Sequence, residues 1–542
     1  MEPSLTVAQQ ARMVAGLLAG LRTRNPQATV ALIETHISFV LLADEWAYKI
    51  KKAVNPGFLD FTTLALRRHF CEEELRLNRR CAPALYLEVL PVTGTPEEPA
   101  LGGRGAPIDW ALKMRAFPQS GLWDRLASSG ALLPAHIDAL VESLGTLHDG
   151  AAVAGPTDPC GRAAQVRAPM QDNLIALDTL CRVPAERAEL AELTRWEAQA
   201  FDALQGVFDQ RLRDGWVREC HGDLHLANVT LVDGRTTLFD CLEFSPELRW
   251  TDVMSDVAFM AMDLQAHGLA RLAHRFVNAF VERSGDRGGL RVLRYYTVHR
   301  ALVRAKVAAL RRDQLGAHAS EAERHDAEMA LRRYLDVALA ATRHAAPALM
   351  LTHGLSGSGK TVLTQSLLEL CGAIRIRADV ERKRLFGLSA LEHSDTALKE
   401  KLYSSKATEA THARLRELAT LALCSGYSVI LDATFADPEH RQRACLLAHG
   451  LGVCFVIIDF RVSVATLRER VGQRARLADD ASEAGLAVLE DQFANAQPVR
   501  LAEQAAMFEF DAEPPLVDAD MASRWAPLLE RLGLVPGSVA PR

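Results

Sequence analysis

The sequence predicts two domains of different fold class: an N-terminal α+β domain, and a C-terminal α/β domain on a five-stranded parallel sheet. Three observations carry this. The chain has 542 residues, more than one hydrophobic core serves. Strand patterns followed by a long helical stretch fill the first part, whereas strand and helix patterns alternate in the rest. Finally, Gly354-Leu355-Ser356-Gly357-Ser358-Gly359-Lys360-Thr361 fits G-x-x-x-x-G-K-[ST], the phosphate-binding loop. The best linker is Arg343 to Pro347, giving domains 1–345 and 346–542.

Composition excludes several function classes. Hydrophobic content of 49% and charged content of 24% are ordinary for folded protein. A formal net charge of −6 argues against a dominant nucleic-acid or anionic-membrane role. Neither a signal-peptide pattern nor an apolar run of membrane-spanning length is present, so a cytoplasmic protein is expected. The ten cysteines contain no C-x-x-C pair and read as thiols rather than disulfides or a zinc site.

In chain order, residues 6–24 read as an amphipathic helix. Ile37 to Leu42 and Trp46 to Lys52 read as strands around an Asp44-Glu45 turn. A helix follows, about Phe61 to Arg80, and further strands are Leu85 to Leu90 and Trp110 to Met114. This makes a strand-rich lobe of about 30–117. The helical lobe, about 118–345, includes Leu140–Leu147, Met170–Leu180 and Ala188–Leu212. Lys49 and Lys51 are two apart and share one strand face. They are candidates for a phosphate-pairing lysine, with Lys49 preferred and Glu74 its preferred partner over Glu72 and Glu73. The alternative is an exposed strand face.

His221-Gly222-Asp223-Leu224-His225-Leu226-Ala227-Asn228 keeps the Asp and Asn spacing of the kinase catalytic loop H-R-D-L-x-x-x-N. A hairpin with an Asp233-Gly234 turn follows and delivers Asp240 at its end. Phosphoryl transfer needs such a set: one carboxylate near the acceptor hydroxyl, and an amide and a second carboxylate for Mg²⁺. On these motifs, residues about 30–315 resemble the aminoglycoside phosphotransferase and choline kinase group, whose loop has the form H-G-D-x-H-x-x-N. The resemblance implies a protein-kinase-like two-lobed fold. It makes Asp223 the catalytic base, Asn228 and Asp240 metal ligands, and His221 a brace. Asp252 and Asp256 would be structural, holding their segment in place. The chain departs from protein kinases in having Asp240-Cys241-Leu242 in place of D-F-G. It also lacks an N-terminal glycine-rich loop, so Thr35 to Ser38 would have to cover the nucleotide phosphates. Met114 to Phe117 would connect the lobes beside the adenine.

In the C-terminal domain, Ala348 to Thr352 reads as a strand and Thr361 to Leu370 as a helix, the context the phosphate loop needs. Gly354, Gly357, Ser358 and Gly359 would turn backbone N–H groups toward ATP phosphates. Lys360 would reach the β- and γ-phosphates, and Thr361 would bind Mg²⁺. The other expected strands are Ile374–Arg377, Ser428–Leu431, Val453–Ile458 and Pro515–Val517. Asp379, Asp432 and Asp459 then fall at strand ends, where ligands bind in such sheets. Arg377-Ala378-Asp379-Val380-Glu381-Arg382 is similar to the corresponding segment of gluconate kinase, chloramphenicol phosphotransferase, polynucleotide kinase and zeta toxin. That resemblance implies Asp379 as general base and Arg382 as a substrate-positioning residue. The alternative for Asp379 is a helix N-cap, and an Asp can serve both purposes. Asp432 looks like the acidic Mg²⁺ residue of the B motif. Arg470 and Arg474, four apart on one helix face, would by the same resemblance be lid arginines that neutralise the transferred phosphoryl group, an exposed basic helix being the equal alternative. Asp480 to Glu483 resembles the segment after the lid in a bacterial branch of these kinases.

The whole chain resembles bacterial bifunctional phosphotransferase/ATP-binding proteins. This implies an ATP- and Mg²⁺-dependent kinase that phosphorylates small-molecule hydroxyl acceptors in both domains. Two other readings are one domain sensing nucleotide for the other, and an ATPase switch acting on a protein partner.

Overall fold

The structure, a computed structural model, describes residues 5–24, 30–57, 59–315, 319–343, 345–390, 392, 395–477, 486–495, 497–513 and 520–534. It comprises two compact units. The first is Met1–Asp263 with Tyr295–Arg332, and the second is Leu264–Arg294 with Arg333–Arg542.

The first unit has two lobes, one strand-rich and one helical. Its antiparallel sheet contains β1 (Val30–Glu34), β2 (Ser38–Ala43), β3 (Trp46–Lys51), β4 (Tyr86–Gly94), β5 (Pro99–Leu101) and β6 (Pro107–Arg115). The spatial order is β1-β2-β3-β6-β4-β5. The helix Val7–Arg24 buries Met13, Val14 and Leu17 against Phe39, Leu41, Ile50, Val92 and Ala111. Gln10 on that helix donates to the Asp109 carboxylate at 2.7 Å and to the Lys51 carbonyl at 2.9 Å. The sequence pattern shows β2, β3, β4 and β6 but not β1 or β5. Four of the five β1 residues are exposed, so no inward-outward alternation marks it.

The helix Leu64–Asn78 starts on a Thr63 cap, whose hydroxyl accepts the Leu66 N–H at 3.2 Å. One turn from its end it buries Glu74 beneath the sheet. The second lobe is helical, with two small ribbons: β7 (Val217–Glu219) pairs with β10 (Trp250–Asp252), and β8 (Val229–Val232) pairs with β9 (Arg235–Leu238). The β8–β9 turn is Asp233-Gly234 at φ of 49° and 75°, both positive, as the sequence predicts for a tight hairpin.

The second unit has a P-loop kinase fold. Its all-parallel sheet contains β11 (Ala348–His353), β12 (Ile374–Arg377), β13 (Val429–Asp432), β14 (Cys454–Arg461) and β15 (Met507–Asp511), in the order β12-β13-β11-β14-β15. Met350, Ile430, Val456 and Ile458 meet Leu363 and Leu367 in the core, and Phe510 stacks on buried Trp525 at 4.0 Å. The fifth strand is β15, while the expected strand at Pro515–Val517 lies outside the described residues. Asp459 sits inside β14, opposite Glu509, rather than beyond the strand's end.

The units do not follow a single cut near residue 345. The helix Ala270–Ser284 belongs to the second unit, with Leu272, Phe276 and Phe280 buried. Its Asn278 side chain accepts the Arg375 N–H at 2.8 Å on the edge strand β12, and its Arg275 pairs with Glu369 at 2.8 Å. An amphipathic pattern says that a face is buried but not against which core, so the sequence does not separate this helix from its neighbours.

Candidate active sites

In the first unit, the alternation of β3 turns Lys49 and Lys51 to one face, above Glu74. Lys49 Nζ donates to Glu74 Oε1 and to Asp240 Oδ1, each at 2.7 Å. Lys51 Nζ donates to Glu74 Oε2 at 2.7 Å and to Glu243. Lys51 is 1% exposed, so an exposed strand face is ruled out. Burial alone would lower the Lys49 pKa, but the carboxylates of Asp240 and Glu74 hold it well above its ordinary value. Burial would likewise raise Glu74, yet the two ammonium groups bring it down to about 2. Both candidate lysines thus share Glu74, but Lys49 alone also reaches Asp240.

Asp240 follows β9 with φ of 60°, a left-handed conformation rare for a residue with a side chain. Its backbone N–H donates to the Tyr86 hydroxyl at 3.1 Å, and the next N–H, of Cys241, donates to Asn78 Oδ1 at 2.9 Å. The strained turn is therefore held by a strand and by the Glu74 helix.

The catalytic-loop segment is held from below. Asp256 accepts the N–H groups of His221 and Gly222 at 2.9 and 3.0 Å, and His148 Nε2 lies 3.0 Å from it. Asp252 forms a two-pronged ion pair with Arg211. Both acidic residues thus hold backbone or helices, the structural role the resemblance implied. His221 spans the loop, with Nε2 2.9 Å from the Phe239 carbonyl. Asn228 donates to the Asp223 carbonyl at 2.8 Å and to its carboxylate at 3.1 Å. Burial pushes the Asp223 carboxyl up, but His225 at 3.5 Å and the Arg304 guanidinium hold it below the usual carboxylate range. His225, Arg304 and Glu243 are site neighbours that the sequence reading did not single out. His225 stood inside the quoted motif, whereas Arg304 and Glu243 come close only through the fold. Thr35 to Ser38 form the β1–β2 turn, where the Thr35 hydroxyl accepts the Ser38 N–H at 3.0 Å. Arg115 to Pro118 line a cavity of about 440 Å³ with Leu231 to Gly234.

In the second unit, the loop leaves β11 and enters the helix Lys360–Cys371, with Gly354, Gly357 and Gly359 at φ of 143°, 88° and 81°. Only glycine adopts such angles freely, which lets successive N–H groups converge. Lys360 Nζ donates to the Gly354 and Leu355 carbonyls at 2.9 Å and to the Ser358 hydroxyl at 3.3 Å. The Thr361 hydroxyl donates to Asp432 Oδ2 at 2.7 Å, bringing the two expected metal groups together. Ser356 N–H donates to Gln492 Oε1 at 2.9 Å. A side-chain oxygen there fits a loop built to receive phosphate oxygens. Hydroxyl and carboxylate oxygens likewise fit a hard cation such as Mg²⁺, as do the oxygens of Asn228 and Asp240 in the first unit.

Asp379 lies in the first turn of the helix Ala378–Leu385, whose N-cap is Arg377, so Asp379 does not cap it. Arg382 Nη1 donates to Asp379 Oδ1 at 3.0 Å and its guanidinium lies over the Tyr403 ring at 4.8 Å. The helix Val464–Leu477 packs on the phosphate loop, since a Cβ on Gly357 would meet the Leu467 carbonyl at 2.8 Å. On that helix Arg470 donates to the carbonyls of Ala512 at 2.9 Å and Glu513 at 3.3 Å, beyond β15. Arg474 is on the same helix with its side chain outside the described residues, and Asp480 to Glu483 also lie outside them.

Residues 349–499 match a family model described as an AAA domain. The chain is 32% identical over 455 residues to the uncharacterised protein Rv2004c of Mycobacterium tuberculosis, covering 83% of this chain and 87% of that protein. The same values hold for an uncharacterised protein of Mycobacterium bovis. Among solved structures, a choline/ethanolamine kinase family protein from Mesorhizobium loti is 15% identical, with TM-score 0.39, covering 61% of this chain and 99% of its own. A gluconokinase from Sinorhizobium meliloti is 20% identical, with TM-score 0.25, covering 35% and 98%. No helix among the described residues is long and apolar enough to cross a membrane.

Proposed function

The chain belongs to the family of the Mycobacterium tuberculosis protein Rv2004c, and on that premise we propose that it is an ATP-dependent phosphotransferase with two sites, one in each unit. Each site transfers the γ-phosphoryl group to a hydroxyl of a small-molecule acceptor. The observation that carries the reading is Lys49 bonded at once to Glu74 and Asp240. Phosphoryl transfer needs a lysine fixed by a helix carboxylate beside a metal-binding carboxylate.

In the N-terminal site Lys49 pairs with nucleotide phosphate. Asn228 and Asp240 hold Mg²⁺, and Asp223 accepts the acceptor's proton. In the C-terminal site the Gly354–Thr361 loop and Lys360 hold phosphate, and Thr361 and Asp432 hold Mg²⁺. Asp379 is the base, with Arg382 against it. Arg470 and Arg474 act from the lid helix, for which Arg470 must leave the Ala512 carbonyl. Bound Mg²⁺ supplies charge neutralisation for the transferred group.

The test is γ-labelled ATP with a panel of small hydroxyl acceptors, comparing wild type, Asp223→Asn, Asp379→Asn and Lys360→Ala. Asp223→Asn should remove one acceptor's phosphorylation, and the other two variants should remove a different one. If no acceptor is labelled and Asp223→Asn changes nothing, the N-terminal reading fails. A second reading, a regulatory nucleotide site in the C-terminal unit, is favoured by one observation. Lys360 and the Ser356 N–H are engaged by the protein's own oxygens.

A further inference from the structure

Cys241 immediately follows Asp240, and its side chain is buried. Its sulfur lies 3.9 Å from that of Cys81, a residue 160 positions away in the turn after the Glu74 helix. Asn78 holds both partners. Its side-chain oxygen accepts the Cys241 N–H at 2.9 Å, and its carbonyl lies 3.6 Å from Cys81 Sγ. The two thiols therefore meet through a fixed scaffold.

A disulfide needs about 2.05 Å between sulfurs, so roughly 2 Å of closing is required, within reach of side-chain rotation and a small backbone shift. The two thiols differ in access, because Cys81 is partly exposed whereas Cys241 is buried. Contact with Cys241 and the neighbouring Arg80 guanidinium lower the Cys81 thiol below its ordinary value, against burial. Low thiolate pKa and exposure mark the sulfur that meets an oxidant first.

We propose that Cys81 and Cys241 form a reversible oxidation site for hydrogen peroxide, and that the disulfide disables the Asp240 site. The Cys81 thiolate attacks the peroxide oxygen; the O–O bond breaks and, after protonation, Cys81 carries a sulfenic acid and one water leaves. The Cys241 sulfur then attacks the Cys81 sulfur and displaces hydroxide, which takes the Cys241 proton and leaves as a second water. The two thiols have lost two electrons in all and the peroxide has gained them. Closing the bond draws Cys241 toward Cys81, and with it the adjacent Asp240 away from its 2.7 Å contact with Lys49.

The experiment treats the full chain with stoichiometric hydrogen peroxide, then maps peptides and measures phosphoryl transfer. The expected result is a Cys81–Cys241 linked peptide, a mass loss of two hydrogens, and reversal by dithiothreitol. Asp223-dependent transfer should fall by about a hundredfold, the scale of an ångström-level misplacement, while Asp379-dependent transfer stays. Cys81→Ser should keep full activity when reduced and become resistant to peroxide. The site is overturned if both thiols remain alkylatable, or if Cys81 over-oxidises without a linked peptide. If the linked peptide forms but Asp223-dependent transfer is unchanged, the disabling effect is overturned. The mapping does not depend on the kinase reading, which fails separately if reduced protein shows no Asp223-dependent transfer.

Discussion

The two candidate sites are built in opposite ways. In the first unit the charged groups come from distant parts of the chain and neutralise one another around buried Glu74. Lys49 meets Asp240 across 191 positions and Glu74 across 25. In the second unit the key groups are closer in sequence and rest largely on backbone. Lys360 meets Gly354 six positions away, Arg382 meets Asp379 three positions away, and Thr361 meets Asp432 across 71. The first arrangement makes the site part of the fold's stability. The second makes it a loop that could lose a side chain and still fold.

The largest expected effect breaks this comparison if it fails. Lys51→Ala leaves Glu243 buried without its bonded cation and Glu74 with Lys49 alone, which should cost about 3–5 kcal/mol. Calorimetry of the full chain should show one transition fall and the other stay. Equal destabilisation of both transitions would contradict the local account.

Acid should act next. Glu74 is held down to about 2 from an ordinary 4.5. A depressed carboxylate contributes stability that is complete above its unfolded pKa and is lost as pH falls through the folded one. The first unit should therefore lose roughly 3 kcal/mol between about pH 4.5 and 2 through this group, at 1.36 kcal/mol per unit. Glu74→Gln should flatten that part of the stability–pH curve, and an unchanged curve would sink the assignment.

A smaller effect concerns the metal groups of the second unit. Thr361→Val removes one oxygen but leaves Asp432 in place. Mg²⁺-dependent nucleotide binding should weaken about tenfold, for roughly 1.4 kcal/mol, with the melting transition little moved. Smallest of all, Gln492→Ala frees the Ser356 N–H. One hydrogen bond of about 1 kcal/mol should tighten nucleotide binding about fivefold; weaker binding would show instead that Gln492 supports the loop.

The contrast also explains what could be read early. The phosphate loop was legible because its geometry is local: glycines at positive φ followed by a lysine at a helix start. Asp223, Asn228 and Asp240 were legible because a short hairpin fixes their spacing. Lys49 and Lys51 were narrowed to one strand face, and Glu74 to one helix. The apolar alternation of the strand favours Lys49 over Lys51, and the fold adds its contact with Asp240. Glu243, Arg304 and Gln492 carried no local signal and appear only where separate elements meet.

By itself the sequence determined most element types, the two fold classes and the motif residues, because period, turn chemistry and spacing are properties of neighbouring residues. Tertiary structure decided that Lys49 rather than Lys51 reaches Asp240, and that Arg470 rests on the Ala512 carbonyl. It also decided that the helix Ala270–Ser284 joins the second unit and that two thiols meet behind Asp240. Those are contacts between segments far apart in the chain. Their energy comes from burial and pairing, which a linear pattern does not encode.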